Sequence, residues 1–358
     1  MKQLTVLTDP VYQPKKSFTR YERFWLKRIN DKRDLPFIHL LTAIHLLVVP
    51  VAVLLYMPFV KSWMWWALAV PYFYLAQLYY KGRFGLMLHC ICHRKLFKKP
   101  YQWIHGYITW FVCPLFGHTP ESYFSHHMGM HHVENNLPDD TSSTMRYQRD
   151  SAKAFLLYFF HFLFLGFKET VLYLYYRKRK KLYTRLTAGE TSFFVFCIGM
   201  CFVNLKATLL VFIIPFLFAR FVMMLGNWTQ HAFIDRRDPE NLFTSSINCI
   251  NTPYNKVCWN DGYHTLHHLR PGMHYTELPV EFIKQTPHLA AHKTLVFDGI
   301  NYLHIFIYLL AKRYDKLADN LVNLNGMFAN RDEAIQLLRE RTKKIQLYKP
   351  WLASLSAS

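Results

Sequence analysis

Apolar positions fall in long blocks, and the clearest blocks come in pairs. Residues 37–60 form an almost uncharged run, Lys61 and Ser62 interrupt it, and residues 63–80 follow with aromatics at both ends. A helix rises ~1.5 Å per residue and the hydrocarbon core is about 30 Å thick, so this pattern predicts a transmembrane hairpin. Its tryptophans and tyrosines suit the membrane interface. A second hairpin is predicted from residues 191–204 and 207–225, with Leu205-Lys206 as the break and a short first arm. Basic segments bracket both. Lys15, Lys16, Arg20, Arg23, Lys27, Arg28, Lys32 and Arg33 precede the first hairpin, and Lys81, Arg83, Arg94, Lys95, Lys98 and Lys99 follow it. Residues 177–181 precede the second, and Arg236-Arg237 follow it. Lys and Arg accumulate on cytoplasmic loops, so these flanks and both termini read as cytoplasmic.

Two other apolar stretches fit less well. Residues 101–117 carry His105 and Cys113-Pro114; residues 154–176 carry His161, Lys168 and Glu169. Two further crossings would move the basic or histidine-rich segments behind them to the far side. The preferred reading is re-entrant or interfacial helices; the alternative is six crossings. Thr286-Pro287 reads as a helix start. Residues 295–310 read as a packed or interfacial helix. Ile335, Leu338, Thr342 and Ile345 recur at helical spacing among charges, as in a soluble amphipathic helix. The expected fold is an all-α membrane protein: two transmembrane helical hairpins, re-entrant or interfacial helices, and a cytoplasmic helical cap. Its expected segments are a basic N-terminal stretch (1–35), a membrane domain (36–285) and a C-terminal cap or tail (286–358).

Composition narrows the function. With 52% apolar residues, 17% aromatics and a net charge of +20, the 358-residue chain is not disordered. Its apolar residues are blocked rather than dispersed, which argues against a nucleic-acid binder, and the topology accounts for most of the charge. The seven cysteines include no CxxC pair, as in a reducing compartment. The nineteen histidines are the unexplained feature.

Those histidines gather in four clusters: His89-Cys-Ile-Cys-His93, His126-His127-Met-Gly-Met-His131-His132, Asn227-Trp-Thr-Gln-His231 and His264-Thr-Leu-His267-His268. On a helix, positions i and i+3 or i+4 share a face. His89 thus pairs with His93, His127 with His131, and Asn227 with His231, while His264 lies beneath His267 and His268. By the hairpin topology all four clusters stand at cytoplasmic ends of spans. One such pair arises easily by chance, and His288 and His292, which have no neighbouring cluster, read as a decoy. Nine histidines across four clusters exceed the four ligands of a typical zinc site, so two metals are implied. Imidazole suits Zn, Cu, Fe and Ni. There is no HExxH, no Glu-x-x-His, and no acidic residue between Asp34 and Glu121. A histidine-rich pair of irons at the mouth of a membrane domain is the most attractive reading.

With these motifs the chain resembles the membrane fatty acid desaturase and hydroxylase superfamily, the histidine-box di-iron proteins. His89 and His93 resemble its HxxxH box, His127, His131 and His132 its HxxxHH box, and His264, His267 and His268 its HxxHH box. Asn227 and His231 resemble the extra Asn/His position of some desaturases. The resemblance implies two non-haem irons, O₂ as co-substrate, and electrons from a separate donor of ferredoxin, rubredoxin or cytochrome b5 type. It supports two hairpins beneath a cytoplasmic cap. No haem-binding HPGG and no Cys₄ set is present, and no fused haem or flavin domain is expected.

Some assignments stay open at this level. His126 or His127 can begin the second box, and spacing favours His127. Asp140, Asp235 and Asp261 are candidates to orient ligand imidazoles, as are the amides and carboxylates of 134–140; a capped turn explains that stretch equally well. Cys90 and Cys92 are expected to pack rather than ligate. The substrate is an acyl lipid, acyl-CoA or free fatty acid, held in a tunnel among membrane lipids. Beyond the metal ligands no catalytic residue stands out. The boxes do not separate desaturation from fatty acid or alkane hydroxylation. A non-catalytic haem- or metal-binding membrane protein is the distant rival.

Overall fold

The computed structural model describes residues 1–346, so the end of the C-terminal segment lies outside the described residues. The chain is mostly helical. In chain order its main elements are α1 (Leu35–Leu47), α2 (Ser62–Phe73), α3 (Lys81–His93), α4 (Ala152–Tyr176), α5 (Lys180–Thr208) and α6 (Ile214–Gln230). After these come β1 (Asn248–Ile250), α7 (His264–Leu269), α8 (Leu278–Ala291), β2 (Val296–Asp298), α9 (Tyr302–Leu310) and α10 (Arg331–Arg341). They form two compact units. One holds Met1–Val11, His126–Arg179 and the chain from Phe221 on; the other holds Tyr12–Ser125 and Lys180–Arg220.

The second unit holds residues 37–80 of the first predicted hairpin and residues 191–220 of the second. Three helical stretches among the described residues are long and apolar enough to cross a membrane: Lys32–Leu54, Ala152–Tyr176 and Lys180–Gln230. The last of these bends at Asn204 (φ −160°, ψ 97°), one residue before the expected break. The Asn204 side chain accepts from Ala207 N (3.0 Å) and so starts the second arm. Lys206 lies over the rings of Trp65 and Trp66, at 3.7 and 4.2 Å, carrying its charge on an aromatic surface. The return arm of the first hairpin, residues 62–79, is helical but rich in Trp and Tyr, and is not among the three. Close backbone approach demands two glycines here. A Cβ on Gly117 (φ +78°) would lie 1.9 Å from Pro215 O, and one on Gly189 would lie 1.9 Å from Pro120 O. An ion pair between the part-buried Arg220 and the buried Glu190 (3.2 Å), with Thr119 donating to Glu190, lies in the same unit. Residues 101–117 form short helical pieces that end at the left-handed Gly117, not one long helix.

The first unit packs α4, α9 and α10 around a two-stranded parallel sheet, with Asn248 paired to Val296. Phe155, Tyr158, Trp228, Phe297, Leu317 and Leu338 share its core. Arg149 is fully buried and donates to six carbonyls, of Thr144, Met145, Tyr147, Ala232, Arg341 and Lys343. It joins the chain after His231 to the end of α10.

Three expectations change. Residues 154–176 lie in one continuous 25-residue helix, so of the re-entrant and interfacial forms expected the re-entrant one, which needs a break, is set aside. Thr286-Pro287 does not start a helix: α8 begins at Leu278 with Pro279 in its first turn and runs through Pro287. The Thr286 hydroxyl donates to Phe282 O within that helix. Residues 295–310 are not one helix, because Gly299 (φ +81°) turns the chain between β2 and α9, and Asn301 caps α9 through Leu303 N and His304 N. The amphipathic C-terminal helix is present as α10, with Ala334 and Leu338 buried, but it ends at Arg341: Thr342 caps it and Ile345 lies beyond the helix.

Candidate metal centre

Two groups of imidazoles form inside the first unit. In one, His131, His231, His264 and His268 are all buried, with ligand atoms within 4.8 Å of one another. In the other, the ligand atoms of His127, His132 and His267 meet the same limit. His132 Nε2 stands 3.0 Å from both His127 Nε2 and His267 Nε2. His89 and His93 belong to the other unit, where they share one face of α3 with ring centroids 5.4 Å apart, as their spacing predicts.

Local backbone decides which histidine joins which group. The second box is not a plain α-helix: His127–His131 form a π-helical turn, in which the His132 N–H bonds to His127 O, five residues back. That brings His132 edge-on to His127, with ring centroids 4.4 Å apart, while the ligand atom of His131 enters the four-imidazole group. His127 and His131 still share a face, with ring centroids 5.7 Å apart as their spacing predicts, yet their ligand atoms enter different groups. The third box is split too, without a bulge. On α7, His264 and His268 are four apart and their Nε2 atoms lie 3.1 Å apart, while His267 turns to the other group.

The buried group is held from behind. His131 Nδ1 bonds Asp140 Oδ2 at 2.7 Å, and the other carboxylate oxygen accepts from Ser142 N and Oγ. Burial alone would raise the Asp140 carboxyl. The charge and hydrogen bond of His131, helped by His126 and Ser142, overcome this and hold it below the usual carboxylate range. His231 Nδ1 donates to Ser245 O at 2.8 Å, and His268 Nδ1 bonds Asn135 Oδ1 at 3.1 Å. Burial pushes His231 down to about 3, and His268 well below its ordinary value, so both rings are neutral at ordinary pH. His231 Nε2 is buried and has no hydrogen-bond partner. An orphaned imidazole lone pair among three other imidazoles fits a bound metal ion, because a buried polar atom is otherwise paired.

The remaining predicted residues fall outside these groups. The His126 ring stacks beside His131 and its Nε2 lies 3.7 Å from Asp140 Oδ1. Asn227 Nδ2 donates to Ser142 O and the Tyr158 hydroxyl, each at 2.8 Å. Asp235, placed by sequence one turn after His231, is engaged by Arg237 and Arg341 instead. Asp261 accepts from the Tyr254 hydroxyl (2.7 Å) and Gln230 Nε2 (3.2 Å). Burial pushes the Cys92 thiol up, which disfavours the thiolate a metal would need. Sequence reasoning missed Ser245, which acts through its backbone carbonyl and leaves no side-chain signal. It also missed Asn135 individually, although the flagged stretch 134–140 contains it.

The family model for fatty acid desaturases matches residues 63–288, more than half of the chain and all four clusters. The chain belongs to the fatty acid desaturase family. No curated protein and no solved structure matches it. This desaturase-family chain is thus a membrane oxidoreductase of the desaturase or hydroxylase type, in a family known as di-iron and acting on lipid.

Proposed function

We propose that the protein is an acyl-chain desaturase with two histidine-held irons. The observation that carries this reading is the separation of box imidazoles into two groups, one with a buried, orphaned Nε2, in a chain of this family. His131, His231, His264 and His268 hold one ion, with Asn227 as the further member of the set. Its Nδ2 is fixed by Ser142 O and the Tyr158 hydroxyl, which leaves the amide oxygen as its ligand atom. His127, His132 and His267 hold the other, and the family resemblance assigns the HxxxH box, His89 and His93, as metal ligands too.

Irons bound there supply, with O₂ and two electrons, the oxidising power to break unactivated C–H bonds. The balance for desaturation is one acyl CH₂–CH₂, O₂, two electrons and two protons giving CH=CH and two waters. The chain's own work is positional. Asp140, Ser245 O and Asn135 each take an Nδ1, so His131, His231 and His268 present Nε2 in a fixed tautomer. Burial keeps His231 and His268 neutral, so no proton need leave before they ligate. The electrons come from a separate donor. The histidine boxes and both termini lie on the cytoplasmic side.

Lipid analysis of a host expressing the gene tests the reading. New double bonds support desaturation; new hydroxyls alone would make the protein a hydroxylase on the same ligands. Purified protein should carry about two irons per chain. Haem absorption in place of iron would move it to the non-catalytic class.

A further inference from the structure

Helix α4 has two unlike faces. Phe155, Tyr158, Phe162, Gly166, Thr170 and Tyr173 form a buried stripe. The opposite face, with Leu156, Leu157, Phe160, Phe164, Leu165 and Phe167, is exposed and apolar. At 25 residues the helix is about 37 Å long, enough to cross a bilayer.

The partners of the buried stripe argue against a crossing. At the N-terminal end Phe155 packs on Phe306 of α9 (centroids 4.7 Å), and Asp150, just ahead of the helix, accepts from the Tyr314 hydroxyl. In the middle the Tyr158 hydroxyl donates to Ser142 O, and Thr170 meets Thr141. At the far end Tyr173 bonds Glu134, and Arg177 reaches Glu134 (3.3 Å) and Asp139 (3.2 Å). One polar stretch, 134–150, therefore runs beside α4 from its C-terminal end back to its start. It is almost wholly non-helical and carries Glu134, Asp139, Arg146 and Asp150. If α4 crossed, this irregular stretch, whose Glu134, Asp139, Arg146 and Asp150 are only part-buried, would span the hydrocarbon beside it, where non-helical backbone is tolerated only when buried in protein or lining water.

We propose that α4 lies flat in the headgroup layer of one leaflet, and that its exposed face, extended by α9, is the surface by which this unit docks on lipid. Leu303 and Ile307, one turn apart on α9, are each more than half exposed, and α9 is fixed to the first turn of α4 by the Phe155–Phe306 contact. Exposed cations border the surface: Lys153 and Lys168 on α4, and Lys312 and Arg313 after α9. These suit lipid phosphates, as in other interfacial helices.

The test uses the full chain in sealed vesicles. Lys153→Cys and Lys178→Cys, at the two ends of α4, are treated with a membrane-impermeant maleimide before and after permeabilisation. The unsubstituted chain with its seven cysteines sets the background. Both positions should label from the same side; labelling from opposite sides would overturn the proposal. Separately, a fluorophore is placed at Leu156→Cys, Phe164→Cys and Tyr175→Cys, and lipids carry a nitroxide either near the headgroup or near the acyl terminus. The headgroup-proximal nitroxide should quench all three alike. Preferential quenching of position 164 by the deep nitroxide means a crossing helix. No quenching at any position means a face covered by a second copy or another protein. Either result overturns the proposal.

Discussion

His131 and His132 are adjacent in sequence, yet their ring nitrogens enter different imidazole groups. Removing either kind should therefore cost one metal rather than both. His131→Ala and His267→Ala should each abolish product formation, lower the iron content from about two per chain towards one, and leave the protein in the membrane. Product formation and iron analysis of purified variants check this. Asp140→Asn keeps the shape but weakens the pull on His131 Nδ1; metal affinity should fall about 10–100-fold, the usual loss for an outer partner of a ligand histidine. A chelator titration reads that directly. His288, by contrast, is exposed and lies outside both groups. His288→Ala should leave activity unchanged and shift stability by no more than about 0.5 kcal/mol.

At the scale of elements, the centre depends on how short segments are bent and braced. The π-helical turn over His127–His131 inserts what amounts to an extra residue, and Asn135 and Asn136 at positive φ end the segment. Two residues before the third box, Gly262 passes against Cys249 O and the Asn255 side chain. A Cβ there would sit 2.2 Å from that carbonyl. Gly262→Ala should cost about 1–3 kcal/mol by overpacking and displace His264, seen as a lower melting temperature with reduced iron retention. Arg149 braces the other side. Its Nε donates to Ala232 O, next to His231, while Thr144 Oγ1 donates to His231 O itself. Arg149→Met removes six hydrogen bonds, four of them buried, and should destabilise the protein by about 3 kcal/mol or more. Thermal unfolding in detergent measures this.

Across the whole molecule, the long apolar runs, the C-terminal amphipathic helix and the box histidines were legible as patterns along the chain. Long apolar runs report the bilayer because burial in hydrocarbon needs length and composition, not a particular neighbour. The i, i+4 spacing of His89 and His93 survives because α3 is a regular helix there. Other readings failed where local signals compete. Thr286-Pro287 looks like a helix start, but Pro279 begins the helix eight residues earlier and tertiary packing carries it through. Asp235 stands at the right spacing from His231, but two arginines, one of them Arg341 from α10, claim its oxygens. By itself, then, the sequence determined that this is a membrane protein of a histidine-rich family, and which histidines are candidates to hold metal. Only the tertiary structure decided their partition. A π-turn at the second box and a 100° step between His267 and His268 at the third send neighbouring residues to opposite groups. Distant atoms such as Ser245 O and Asn135 Oδ1 then fix which nitrogen each ring presents, and such pairings exist only once the chain has folded.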